Sequence, residues 1–146
     1  RVPSQGIALA GGLILTQRDI RELQLAKGAV ASGLAMLQQE LGVAEIERLH
    51  LAGAFGNYAR EQSARRTGLL PPGAARACPG QARVAKVHAA GNAALRGTRL
   101  LLLQPESRQA MLDALLRRTR HVELAALPGF EDAFVEAMAF PSESAC

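Results

Sequence analysis

Twice along this chain a stretch with strand character runs into a glycine corner and then into a helical pattern, and that repetition limits the folds open to it. The first unit is Arg48 to Ala52 followed by Gly53-Ala54-Phe55-Gly56-Asn57, with a helical stretch over about 61–67. The second is Val84 to Ala89, broken by Gly91-Asn92 before a helix over about 93–103. Recurring units of this kind predict parallel strands with right-handed crossovers, hence an α/β layer. The 146 residues suit one domain, 1–146, or one lobe of a larger one. With four Phe, one Tyr and no Trp, Leu, Ala and Val must do the packing, which favours thin, helix-rich layers over sheet sandwiches.

The flanking segments fill in this frame. Residues 7–15 read as two short apolar edge strands turned at Gly11 and Gly12. Thr16, with Asp19 three residues on, is an N-cap whose acid can reach back, and it opens a helix running to about Leu41, stopped by Gly42. Along that helix Ile20, Leu23, Val30, Leu34, Leu37 and Leu41 follow steps of three and four, and Lys27 interrupts the stripe. One reading of Lys27 lets its stem cover apolar surface while the ammonium reaches water; the other holds the cation at the rim of a ligand cleft.

Ala44 to Glu47 reads as a short polar turn, and Gly68 to Arg83, rich in Pro, Gly and Ala, as a surface excursion. Further on, Pro105 suits the first turn of a helix over about 106–118, with Arg117, Arg118 and Arg120 near its end. His121 to Leu124 reads as a last short strand. Pro128 to Met138 reads as a terminal helix with Phe130, Phe134 and Met138 four apart, and the tail after Pro141 as frayed.

Composition excludes several functions. The net charge of +4 comes from basic residues scattered over several elements, without the interleaved aromatics of a nucleic-acid face, so no nucleic-acid partner is expected. Cys78 and Cys146 make neither a disulfide framework nor a cysteine-pair metal site, which points to a reducing compartment. No charged-then-apolar leader opens the sequence, and the apolar run Leu100 to Leu103 is far too short for a bilayer, so a soluble cytoplasmic protein without membrane contact is expected.

No catalytic constellation and no metal site emerge from the spacing. His50, His88 and His121 fall on separate predicted strands and read as structural, although His88 precedes the second glycine corner, where the strand ends of open sheets face ligands. The acids fall at helix starts or on exposed faces. What remains is a set of binding groups: Gln24 and Lys27 one turn apart, the backbone of Gly53 to Asn57 including Ala54, Phe55 and Gly56, and the corner Gly91-Asn92. Such a surface offers amides and an amine, but no evident acid to hold the metal that phosphoanhydride cleavage needs.

Four blocks in order carry a family resemblance: TQRDIRELQLAKGAV (16–30), LHLAGAFGNYA (49–59) with RRTGLLP (65–71), AAGNAALRGTRLLLL (89–103) and HVELAALPGFEDAFVEAMAFP (121–141). Together they resemble the C-terminal region of the reductive activators of corrinoid-dependent methyltransferases and their ferredoxin-like, metal-binding relatives. The resemblance implies an actin-like (ribonuclease H-like; acetate and sugar kinase, heat-shock chaperone, actin superfamily) half-domain, a small mostly parallel sheet flanked by helices. It implies that the complete protein joins a ferredoxin-type iron–sulfur domain to this ATPase domain and uses ATP, with Mg, to drive an electron onto a cobalt(II) corrinoid. This chain would be the nucleotide-binding lobe, inactive alone, with the N-terminal lobe and a corrinoid protein or methyltransferase as partners. By resemblance Gly53, Ala54, Phe55 and Gly56 meet the adenosine, and Gln24 and Lys27 border the adenine.

The sequence departs from that family in three respects. The Asp-x-Gly phosphate motifs and clustered cysteines are absent here. Ala59-Arg60-Glu61 stands where the family often has Asp-Pro, and Ala54 stands where superfamily members often have Gly. Two other readings remain open: a non-catalytic module that docks a corrinoid protein or methyltransferase, and a lobe of a sugar or acyl kinase. A lobe face left bare also allows two copies of the chain to pair.

Overall fold

The structure is a computed structural model, described here for residues 3, 5–53, 58, 60–71 and 81–141. Ile7–Ala8 (β1) and Ile14–Leu15 (β2) pair antiparallel around a 3-10 turn, with Gly11 and Gly12 both at positive φ, as expected for the opening residues.

Helix α1, Gln17–Glu40, starts where the sequence predicts. The Thr16 hydroxyl accepts from the Asp19 amide at 3.3 Å, and the Asp19 carboxylate accepts from the Thr16 amide at 2.7 Å. The Thr16 hydroxyl, and then its amide, donate to the Asp19 carboxylate at 2.7 Å each and hold that carboxyl below its usual range. The helix stops on Gly42, φ 64°: the Val43 amide reaches Gln38 O and the Gly42 amide reaches Gln39 O, so that the last carbonyls are paired by a left-handed residue.

The buried face of α1 is not the leucine stripe. Ile20, Leu34 and Leu37 are half-buried, while Leu23, Val30 and Leu41 are exposed; the buried positions are Lys27, Gly28, Ser32, Gly33 and Met36. Small residues win because they let a second helix come close. That helix is the terminal one, α5, Phe130–Ala137. A Cβ added at Gly28 would lie 3.0 Å from Met138 Cγ and 3.3 Å from the Phe134 carbonyl oxygen.

Strands β3 (Ile46–Ala52) and β4 (Val84–Gly91) form a parallel pair, in register from Ile46 opposite Val84 to Ala52 opposite Gly91, with one bulge beyond Leu51. β3 begins two residues earlier than expected, because Ile46 already donates to Arg83 O at 2.7 Å. The side-chain amide of Gln38 ties the end of α1 to this edge. Its nitrogen donates to Val43 O and Ala44 O, and its oxygen accepts from the Arg83 amide at 2.8 Å.

Helix α2, Glu61–Thr67, ends on Gly68, φ 77°, whose conformation turns Leu69 and Leu70 back onto the Ala64 carbonyl. Ala64, Leu70, Ala82 and Val84 are the buried apolar residues here, and with Met36 they make the core. The described ends of the Gly68 to Arg83 segment therefore enter the core, in contrast to the surface excursion read from its composition. Residues 72–80 of that segment lie outside the described residues.

Helix α3, Ala93–Leu103, and helix α4, Arg108–Arg118, bury no residue. Pro105 and Glu106 fall in the turn before α4, so the helix begins later than its sequence suggests. The strand expected at His121 to Leu124 is not formed: the chain enters a 3-10 turn over Leu124–Ala126 instead. The reason is packing, since Leu124 lies against α1, 3.5 Å from where a Gly33 Cβ would stand, and Pro128-Gly129 follow at once. Helix α5, Phe130–Ala137, starts at Gly129, φ 81°, and lies on α1, with Phe130 and Phe134 stacked.

Candidate functional site

The two glycine corners come together by register. Because Ala52 pairs with Gly91, β3 and β4 end side by side, and the bends at Gly53 (φ 81°) and Gly91 (φ 62°) leave the sheet at the same carboxyl edge. Both glycines adopt backbone angles that side chains disfavour. A Cβ on Gly53 would meet no described atom within 4 Å. Ala54, Phe55, Gly56 and Asn57 lie outside the described residues. Asn92 caps α3, its Oδ1 accepting from the Leu95 amide at 3.0 Å, which leaves the other amides of the first turn of α3 directed at the same edge.

Gln24 and Lys27 form a second cluster. The Lys27 ammonium is only 2% exposed and donates to Ala137 O and Ala139 O, both at 2.6 Å, while the Phe140 ring centroid lies 5.3 Å away. Gln24 Nε2 donates to Met138 O at 3.2 Å. Three successive carbonyls at the end of α5 and just beyond it are thus satisfied by two side chains of α1. These are the groups a helix end leaves unpaired, and their partial negative charge favours a cation there. Burial pushes the Lys27 ammonium below the ordinary lysine range.

The amine therefore neither reaches water nor stands bare at a rim. Its described neighbours are Gly68, Ala137, Ala139 and Phe140, and no described contact links Gln24 or Lys27 to Gly53 or Gly91.

One arrangement escaped the reading of the sequence. His50 and His88, placed on separate strands, are register partners whose rings stack at 5.6 Å, with Arg48 opposite Lys86 one rung away. The signal was present as two basic residues two apart in each strand, Arg48-x-His50 and Lys86-x-His88. Among the described residues no three His, Cys, Asp or Glu side chains gather as a metal site, and no helix is long and apolar enough to cross a membrane.

Comparison with known proteins gives a consistent result. The family described as the C-terminal domain of RACo, the ASKHA domain, matches residues 2–146. The corrinoid activation enzyme RamQ of Eubacterium limosum is 35% identical over 125 residues, which are 84% of this chain and 19% of that protein. No solved structure matches. The chain thus spans about a fifth of the length of that relative.

Proposed function

The chain belongs to the family of RACo C-terminal domains, the ASKHA domain, and on that premise we propose that it is the nucleotide-binding lobe of an ATP-dependent reductive activator of corrinoid proteins. Its ASKHA fold, with a small parallel sheet flanked by helices, and its likeness to a corrinoid activation enzyme support this reading.

The observation that carries the proposal is the Ala52–Gly91 register. It brings two glycine bends to the carboxyl edge of parallel strands, the place where open α/β sheets take ligands. The bend from Gly53 to Asn57 would lie against the adenosine, where glycine lets a flat ligand approach the backbone. Gly91, Asn92 and the first amides of α3 would face the phosphates. Gln24 and Lys27, bonded to the carbonyls of Ala137, Met138 and Ala139, would border the adenine at one remove, by holding the 137–140 turn.

The groups that complete the chemistry belong elsewhere in the protein. Two cysteines cannot hold a four-cysteine iron–sulfur cluster, so the chain does not fit that cofactor. The described residues likewise bring no cluster of acids to the glycine edge that would suit Mg. This lobe binds nucleotide, and a second lobe supplies the metal-holding acids and the oriented water. A cobalt(II) corrinoid protein, or the methyltransferase carrying it, is the object of the complete activator.

Calorimetric titration with ATP and ADP tests the proposal on three forms of the chain: the parent, Gly53→Asp and Gly53→Asn. Both replacements tolerate left-handed backbone, and no described atom lies within 4 Å of a Cβ at Gly53. Half a cleft should bind at about millimolar strength, roughly −4 kcal/mol. A carboxylate at the bend should repel the phosphates and weaken ATP by about tenfold, while the neutral amide of the same shape should retain most of the binding. Equal ATP binding by all three forms would remove the nucleotide from this edge.

A further inference from the structure

The parallel pair β3–β4 carries charge of one sign on one face. Residues two apart share a face, and parallel partners stand side by side, so Arg48, Lys86, His50 and His88 form two consecutive rungs of a basic ladder. All four are exposed. The other face carries Leu49, Leu51 and Val87, each half-buried.

This is unusual on two counts. Parallel sheets are ordinarily covered on both faces and read as continuous apolar strands, yet here one face is polar throughout these rungs. Arg48 opposite Lys86 also sets two like charges side by side, which destabilises a sheet by about 0.2–1 kcal/mol. Nothing within the described residues relieves that cost. The ion pairs there are Arg18–Glu22, Arg65–Glu61, Arg120–Glu40 and His121–Glu123, and none involves the ladder.

We propose that the ladder of Arg48, Lys86, His50 and His88 is a docking face for a carboxylate-rich surface of a partner protein. The charge calls for an anion, and the geometry selects its kind. An open two-stranded face encloses nothing, so it suits a surface rather than a small molecule; the shallow depressions at Ser63, Arg66 and Thr67 and along Arg96, Arg99, Leu100 and Leu103 lie elsewhere. Nucleic acid would need aromatic platforms between the cations, and the two imidazoles stack on each other instead of splaying to receive a base. A patch of this sort steers a partner and sets its orientation more than it contributes affinity, which suits a transient complex. The proposal is independent of the nucleotide edge, since the ladder occupies the middle of the strands and a face rather than their carboxyl ends.

Fluorescence anisotropy of a labelled poly-glutamate peptide tests it. The double variant Arg48→Gln/Lys86→Gln is compared with Arg117→Gln/Arg118→Gln, which removes the same charge from α4. The parent chain should bind the peptide, with affinity falling as salt shortens the screening length to about 10 Å at 0.1 M. The ladder variant should weaken binding by about tenfold and the α4 variant by less than about twofold. The ladder variant should also melt no lower than the parent, because a repulsion has been removed, and its response to ATP should be unchanged. Equal losses in the two variants, or no peptide binding by the parent at low salt, would overturn the proposal. Ladder-dependent binding of inorganic polyphosphate in place of the peptide would overturn it as well.

Discussion

Helices α1 and α3 meet the rest of the protein in opposite ways. α1 buries Lys27, Gly28, Ser32, Gly33 and Met36, with Lys27 and Gly28 set against the terminal helix and Gly33 against the 3-10 turn before it. α3, with a more apolar sequence, buries nothing and leaves Leu95, Leu100, Leu102 and Leu103 exposed. Apolar content therefore does not decide which helix is packed. A buried face needs a partner that fits, and α1 obtains one by offering small residues and a cation to a helix whose last carbonyls need donors. The leucines of α3 have no such partner among the described residues.

The largest test of that contrast is the removal of the Lys27 charge. Lys27→Met keeps most of the stem and deletes the donor, leaving the part-buried carbonyls of Ala137 and Ala139 without that partner. Each such group costs about 1–3 kcal/mol, so urea unfolding should show a loss of about 2–4 kcal/mol once the better burial of the thioether is allowed for. An unchanged midpoint would mean that the terminal helix is held by its phenylalanines alone.

A single substitution made in both helices sharpens the comparison further. Alanine is favoured over glycine in a helix interior by about 1 kcal/mol. At Gly97 of α3 an added Cβ meets nothing within 4 Å, so Gly97→Ala should raise stability by about that amount. At Gly28 of α1 the same methyl meets Met138 and the Phe134 carbonyl, and overpacking of about 1–3 kcal/mol outweighs the propensity gain, so Gly28→Ala should lower stability by about 1 kcal/mol. Thermal melts of the two variants should move in opposite directions; a shift of the same sign in both would mean that α1 and α5 do not touch as closely as described.

The smallest effect concerns the exposed start of α1. The Asp19 carboxyl lies below its ordinary value of 3.8 because it accepts from Thr16, so its contribution is complete above that pH and is lost as the pH falls through the lowered value. The difference in stability between the parent and Asp19→Asn should be level at neutral pH and shrink only in acid below 3.8. A difference that changes around neutrality would point to another group.

What could be read from the sequence follows from how far apart the interacting residues are. The Thr16–Asp19 cap and the Gly42 stop lie within a few residues of each other, and the chain announces them directly. The two glycine corners were also legible, because strand, bend and helix are contiguous in each unit. Lys27 could be picked out as an anomaly in an apolar stripe, but its partners are more than a hundred residues away, so no local pattern could say what it binds. The stripe itself misled, because periodicity gives weight to large apolar residues while the contact with α5 required small ones. The strand expected at His121 to Leu124 failed for a related reason, as Leu124 is claimed by α1. The His50–His88 pair needed the register of two strands, which spacing within either strand does not supply.

The Gln38 amide holds the residues just before both strands, next to a helix stop, and among the described residues no such side-chain tie is seen at their other ends. The pair is thus built as a cantilever of about 23 Å, taking roughly 3.3 Å per residue over β3. Its root is fixed to α1, and its far tip carries Gly53 and Gly91. A load on the tip can bend it without disturbing the root, and a break at the root would swing the tip through the full length of the lever.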